Sequence, residues 1–172
     1  MADQARIDGP PLLGDDDLDR ILTDARSREL RVVFTNGCFD LIHPGHVAYL
    51  ADARALGDLL LVGLNSDASV RRLKGAGRPL IPQDGRAMVL ASLRSVDGVV
   101  LFEEDTPRSL IRRLRPRFLV KGGDYTADRV VGASDLVGWG GELILLPFRS
   151  GYSTSELIRN IRNLKGDNQL SA

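Results

Sequence analysis

Arg31-Val-Val-Phe-Thr-Asn36 is a short β-branched run, and the segment from Gly45 to Leu56 that follows it sets Val47, Tyr49, Leu50, Ala53 and Leu56 at packing positions before Gly57 ends it. An apolar strand handing over to a helix through a polar turn is half of a β-α-β unit. The alternation extends both ways. Upstream, Asp15 to Arg28 carries apolar residues at 18, 21, 22 and 25, with acids in its first turn. Downstream, strands are predicted at Leu59-Leu-Leu-Val-Gly-Leu64, Val99-Val-Leu-Phe102, Phe118-Leu-Val120 and Leu143-Ile-Leu-Leu146. Helices are expected over 87–96, 106–114 and 153–164, the last capped by its own Ser and Thr. Strands that are apolar throughout, separated by helices, need cover on both faces. The expectation is therefore an α/β fold: a Rossmann-like, doubly wound, five-stranded parallel sheet in a single domain.

Residues 1–14 read as a loose lead, 1–30 as that lead plus a helix, and 166–172 as a flexible tail. Segments 72–85 and 122–135 collect Gly, Pro and charge. In an open α/β sheet such loops follow strand ends and line the ligand crevice.

The 172 residues suit one domain with a real core. The 23 basic and 23 acidic side chains cancel, which leaves no broad field for nucleic acid or an anionic membrane. Phosphate chemistry must then rest on a local cluster. The single cysteine, Cys38, has no internal disulfide partner, the N-terminus has no apolar signal core, and no run reaches the roughly 20 apolar residues of a membrane span. A cytoplasmic protein is expected. The absence of a GxGxxG element argues against a dinucleotide-dependent dehydrogenase.

The only two histidines form His43-Pro44-Gly45-His46, at the change from strand to helix. That spacing puts both imidazoles on one face of the first helical turn, beside free amides and the positive end of the helix dipole. Gly45 lets a phosphate approach the backbone, and Pro44 suits a position where no N–H is missed. Taken on spacing alone, phosphate chemistry competes with a metal site completed by Asp40 or Cys38, and with a packing role.

The string Asn36-Gly-Cys-Phe-Asp-Leu-Ile-His-Pro-Gly-His46, with Gly151-Tyr-Ser-Thr154, resembles the HxGH nucleotidyltransferase superfamily. The segments Leu64-Asn-Ser-Asp-Ala-Ser69, Arg71-Arg-Leu-Lys-Gly75, Phe102-Glu-Glu-Asp-Thr-Pro107 and Leu119-Val-Lys-Gly-Gly-Asp-Tyr125 narrow the likeness to the adenylyltransferases of ADP-heptose synthesis. The resemblance runs from about residue 31 to 162 and implies a cytidylyltransferase-like nucleotidyltransferase domain over 31–165. It implies transfer of AMP from ATP to D-glycero-β-D-manno-heptose 1-phosphate, giving the ADP-heptose of lipopolysaccharide and pyrophosphate. Mg2+ would be held mainly by the triphosphate and not by a protein metal site. The partners implied are ATP, a sugar 1-phosphate and a second copy of the chain, with no nucleic acid and no membrane.

Carried onto this chain, the resemblance gives His43, His46, Lys74 and Arg86 catalytic roles. Lys74, in a Gly-rich stretch, reads as a mobile cation beside the crevice or as a solvated loop lysine. Arg86 opens a predicted helix against the dipole, a conflict that a bound phosphate would resolve. Nucleotide binding falls to Asn36, Gly37, Phe39, Gly45, Lys121, Gly122, Asp124, Ser153 and Thr154. Substrate binding falls to Asp40, Asn65 and Asp67. Plainer roles stand beside these: Asp40 as a loop brace, Asn65 or Asp67 as a helix cap, Ser153 as an N-cap. Arg149 stands where related cytidylyltransferases carry a triphosphate-binding arginine, but with different neighbours. Cys38 reads as a small packed residue and Trp139 as a packing or oligomer contact. Two other readings are another HxGH nucleotidyltransferase, taking CTP with a polyol phosphate or ATP with a flavin phosphate, and a non-catalytic nucleotide-binding module.

Overall fold

The computed structural model describes residues 12–123, 126–147, 151 and 153–164. Five strands form one sheet: β1 (Val32–Gly37), β2 (Leu59–Asn65), β3 (Gly98–Phe102), β4 (Phe118–Gly122) and β5 (Glu142–Leu146). Their order is β3-β2-β1-β4-β5 and every pairing is parallel. The helices are α1 (Asp15–Ser27), α2 (Pro44–Arg54), α3 (Asp67–Lys74), α4 (Gln83–Ala91), α5 (Arg108–Leu114) and α6 (Thr154–Leu164). Two 3-10 helices, Ala127–Arg129 and Ala133–Trp139, lie between β4 and β5. The doubly wound parallel sheet expected from the alternation is the one observed.

Period-2 geometry sends alternate side chains of the apolar strands to opposite faces. Phe34, Leu59 and Leu61 pack with Leu18, Ile21 and Leu22 of α1 and Leu110, Ile111 and Leu114 of α5. Val33, Leu60, Val62 and Leu64 pack with Leu50 and Ala53 of α2 and Ala87 and Leu90 of α4. Gly63 is small for a reason: a Cβ there would stand 2.8 Å from the buried Phe34 ring and 3.1 Å from Asn36.

Two expectations change. The reading of residues 1–14 as a loose lead fails at its end, because Leu13 donates its N–H to Val99 O (2.8 Å) and is buried beside Gly98. The helix expected over 87–96 is α4, Gln83–Ala91. Pro82 sets its start, and Gly85, a poor helix former, hid the first turn. The tail at 166–172 lies outside the described residues.

Candidate active site

The chain builds β1, β2 and β3 outward in one direction, then returns to lay β4 on the other side of β1. The carboxyl ends of β1 and β4 are thus the point where the winding reverses, the place where open α/β sheets bind ligands. The β1–β4 pairing covers Val33↔Phe118 and Phe34↔Leu119, although both strands run three residues further. Side chains bridge the rest of the way. Tyr49 of α2 donates its hydroxyl to Val120 O (3.1 Å) and is hydrogen-bonded to Thr35 Oγ1 (2.7 Å). One residue on, Lys121 Nζ donates to the side-chain oxygen of Asn36 and to Asn36 O (3.4 Å). Burial lowers the Lys121 ammonium to about 8.

A cavity of about 490 Å³ opens above this point, within the range of small-molecule sites. Asn36, Gly37, Phe39, His46 and Lys121 are among the residues that line it. A smaller recess of about 170 Å³ adjoins it, reaching Tyr49 and Gly122.

The two histidines divide their tasks. His43 is the N-cap of α2, with extended backbone (φ −139°, ψ 167°), and its Nδ1 accepts from His46 N at 3.3 Å. Pro44 takes the first helical position, as expected. The two imidazoles stack with centroids 3.8 Å apart at 27°. His46 lines the cavity, with Phe39 tilted against its other side at 5.3 Å. Its Nδ1 is buried with no hydrogen-bond partner among the described residues. Burial, helped by the neighbouring His43, pushes the His46 imidazole down to about 4. Burial also lowers His43, although its own backbone opposes the shift. Phe39 holds a left-handed backbone (φ 44°), and its ring lies 3.1 Å from where a Gly37 Cβ would stand. Gly37 is therefore the residue that lets Phe39 fold over the site.

The structure gives Asp40 and Arg86 interior tasks. Asp40, expected at the substrate, is 2% exposed and accepts from the amides of Leu80 (2.8 Å) and Ile81 (2.9 Å) and from Arg78 Nε. Burial alone would raise its carboxyl, but the Ile81 and Leu80 amides and Arg78 outweigh it and hold the group below the usual range. It lines the cavity while bracing the 78–81 loop. Arg86 is 1% exposed and donates to Ile81 O (3.0 Å), Cys38 O (2.6 Å), Asn65 O (2.9 Å) and Asp67 Oδ1 (2.8 Å). Arg86 also stands at the fourth position of α4 and not at its start. Its conflict with the dipole, for which a phosphate was the expected answer, is resolved by protein oxygens. It ties the loops after β1 and β2 to α4, and Asp67 is spent on that pair and is not among the cavity-lining residues.

The remaining candidates separate cleanly. Asn65 lines the cavity while donating to Ser69 Oγ (3.0 Å), and Lys74 borders it at the end of α3. Neither Asn65 nor Asp67 caps α3: the cap is Ser66, whose Oγ accepts from Ser69 N at 3.2 Å. Ser153 spends its hydroxyl on Glu156 N (3.0 Å), the N-capping role. Thr154 and Ser155 line the cavity instead, with Thr154 Oγ1 donating to Leu41 O at 3.4 Å. Gly45 sits inside the first turn of α2. Asp124 and Arg149 lie outside the described residues.

Sequence reasoning missed Tyr49 as a bridge between β1 and β4, and it missed Arg78, Thr106 and Arg129 on the cavity wall. Tyr49 read as one more packing residue of α2, and only the strand order shows that its hydroxyl meets both central strands. Arg129 lay in a stretch with no periodicity at all.

An imidazole pair, a half-buried lysine and a cavity thus meet at the winding reversal of a parallel α/β sheet. The chain belongs to the cytidylyltransferase-like family, which matches residues 34–160, and it is a nucleotidyltransferase. It is 58% identical over 147 residues to Bifunctional protein HldE of Geotalea uraniireducens (strain Rf4), covering 86% of this chain and 30% of that protein. It is 54% identical over 152 residues to Bifunctional protein HldE of Trichlorobacter lovleyi, covering 88% and 31%. The chain thus spans about a third of the length of these curated relatives. Among solved structures, the lipopolysaccharide core biosynthesis protein of Thermoplasma volcanium GSS1 matches with a TM-score of 0.57 and 25% identity, covering 72% of this chain and 99% of that one. No helix among the described residues is long and apolar enough to cross a membrane.

Proposed function

We infer that this chain transfers AMP from ATP to D-glycero-β-D-manno-heptose 1-phosphate, releasing pyrophosphate and ADP-heptose. The observation that carries the reading is the stacked His43–His46 pair, with His46 on the wall of a cavity at the β1–β4 reversal. The Asn65-Ser-Asp-Ala-Ser69 and Val120-Lys-Gly-Gly-Asp124 phrases and the bifunctional relatives support heptose as the sugar.

The reaction is a direct displacement. An oxygen of the sugar phosphate attacks the α-phosphorus of ATP, and the α–β bridging bond breaks with its electron pair leaving on pyrophosphate. The attacking oxygen is already deprotonated, so no general base is required. Negative charge grows on the equatorial and bridging oxygens, and donors held ready for it supply the rate. Burial keeps the His46 imidazole neutral. An incoming polyanion reverses that balance by favouring the imidazolium, so the ring gains charge where the transition state needs it. Lys74 and Lys121 add positive charge around the same space. The cavity's two carboxylates, Asp40 and Asp105, are engaged by Arg78 and Arg72. Among the described residues they make no protein cage for Mg2+, which would enter as part of the nucleotide complex. The same reading carries a homodimer in the cytoplasm, supported by the resemblance and, for the compartment, by the lone cysteine.

Pyrophosphate release, screened over four nucleoside triphosphates against heptose, hexose and polyol phosphates, tests this. ATP with heptose 1-phosphate should lead every other pair by at least about tenfold, as expected when several polar contacts discriminate. Faster turnover of CTP with a polyol phosphate would reassign the chain to another branch of the family.

A further inference from the structure

The two adjoining cavities divide the site. Asn36, Gly37, Cys38, Phe39, His46 and Lys121 border both, which marks them as the junction. The smaller recess continues toward Tyr49 and Gly122. The larger is lined in addition by Lys74, by Thr106 after β3 and by Arg129 after β4. An in-line displacement needs the attacking oxygen and the departing pyrophosphate on opposite sides of the α-phosphorus, so with the α-phosphate at the junction the part of the larger cavity beyond it suits the acceptor.

The charges lining the larger cavity are uneven. Arg78 is spent on Asp40, and Asp105 is paired with Arg72 at 2.7 Å. Arg129 borders the same space, and its guanidinium has no hydrogen-bond or ion-pair partner among the described residues. Its backbone is nonetheless fixed. Arg129 N donates to Thr126 O (2.9 Å), and the next residue, Val130, is buried in the core against α5. An anchored arginine with an uncommitted planar fork, facing a cavity, matches a phosphate monoester better than a point charge would.

The geometry points to Arg129 as the residue that binds the phosphate of the acceptor sugar 1-phosphate, with Thr106 of the same cavity offering a hydroxyl. This rests on the adenylyltransferase reading above, and it adds the acceptor-binding residue. Arg129 holds the attacking phosphate and leaves the α-phosphate to the histidines. It therefore sets the KM for the sugar phosphate and not that for ATP.

Steady-state kinetics and calorimetric titration with heptose 1-phosphate, on the wild type, Arg129→Ala and Arg129→Lys, test this. Arg129→Ala should raise the KM for heptose 1-phosphate by about 10- to 100-fold, the loss expected for hydrogen bonds to a charged group, and leave the KM for ATP within about twofold. Arg129→Lys should recover part of the loss, since it keeps the charge but not the fork. If the wild type turns over and Arg129→Ala keeps its KM for the sugar phosphate, the assignment of Arg129 falls and the activity stands. A parallel rise in the KM for ATP would also overturn it, because the cation would then serve the nucleotide. If the wild type binds heptose 1-phosphate without turnover and Arg129→Ala loses that binding, the activity falls and the assignment holds. A wild type that binds no heptose 1-phosphate would overturn both.

Discussion

At the scale of single residues, the decisive feature is an imidazole kept neutral by its surroundings. His46 titrates at about 4 in the folded chain against an ordinary 6.5, chiefly because burial penalises the charged ring. As pH falls through that interval the unfolded chain takes up the proton first, so this contribution to stability is intact above about 6.5 and lost progressively toward 4. His43, lowered in the same direction, adds to the slope. Unfolding free energies from urea titrations between pH 7.5 and 5.5, above the range where carboxylates titrate, should therefore fall with pH in the wild type, with a slope that corresponds to up to about one proton taken up on unfolding for each ring. The fall should be shallower in His46→Gln. Equal slopes in the two proteins would show that the ring is not held neutral. The pair of histidines was legible in the sequence because both sit at one strand-to-helix change. Their unequal tasks were not, because capping by His43 Nδ1 depends on a side-chain rotamer that no spacing reveals.

Among the elements, α4 carries the main surprise. Arg86 reads in the sequence as a cation misplaced at a helix start, and a phosphate looks like the remedy. In the fold it stands inside the helix, and its donors meet three backbone oxygens and Asp67. Those oxygens come from residues 38, 65 and 81, separated widely along the chain and brought together only by the sheet. Periodicity found α4 and its apolar face, but could not find acceptors supplied by other elements. Removing one partner of a buried pair is costly, so Arg86→Met should destabilise the protein by about 3 kcal/mol or more in urea unfolding. Turnover should fall as the loops after β1 and β2 loosen. A loss of stability below about 1 kcal/mol, with turnover abolished, would instead place the guanidinium on the substrate. The last helix shows the same limit. Ser and Thr at its start announced a cap, but the one-residue register that gives Ser153 the cap and turns Thr154 and Ser155 to the cavity emerges only in three dimensions.

For the molecule as a whole, the apolar strands and their spacing were enough to read a parallel, doubly wound sheet, since such strands have no other way to be buried on both faces. The strand order was not legible, because nothing in the chain between β3 and β4 states on which side of β1 the fourth strand will lie. That order creates the reversal, and the reversal gives Lys121, Asn36 and Tyr49 a common purpose. The account's central claim is that the imidazole pair stabilises charge as the α-phosphoryl group moves. Single-turnover rates and ATP dissociation constants for His46→Ala and His43→Asn test it most directly. Neither change should unfold the chain, since His46 Nδ1 has no partner to lose among the described residues and asparagine restores the cap. The account predicts rates lower by about 100-fold or more with ATP affinity within about tenfold, as for contacts made chiefly in the transition state. Rates equal to the wild type in His46→Ala would contradict it.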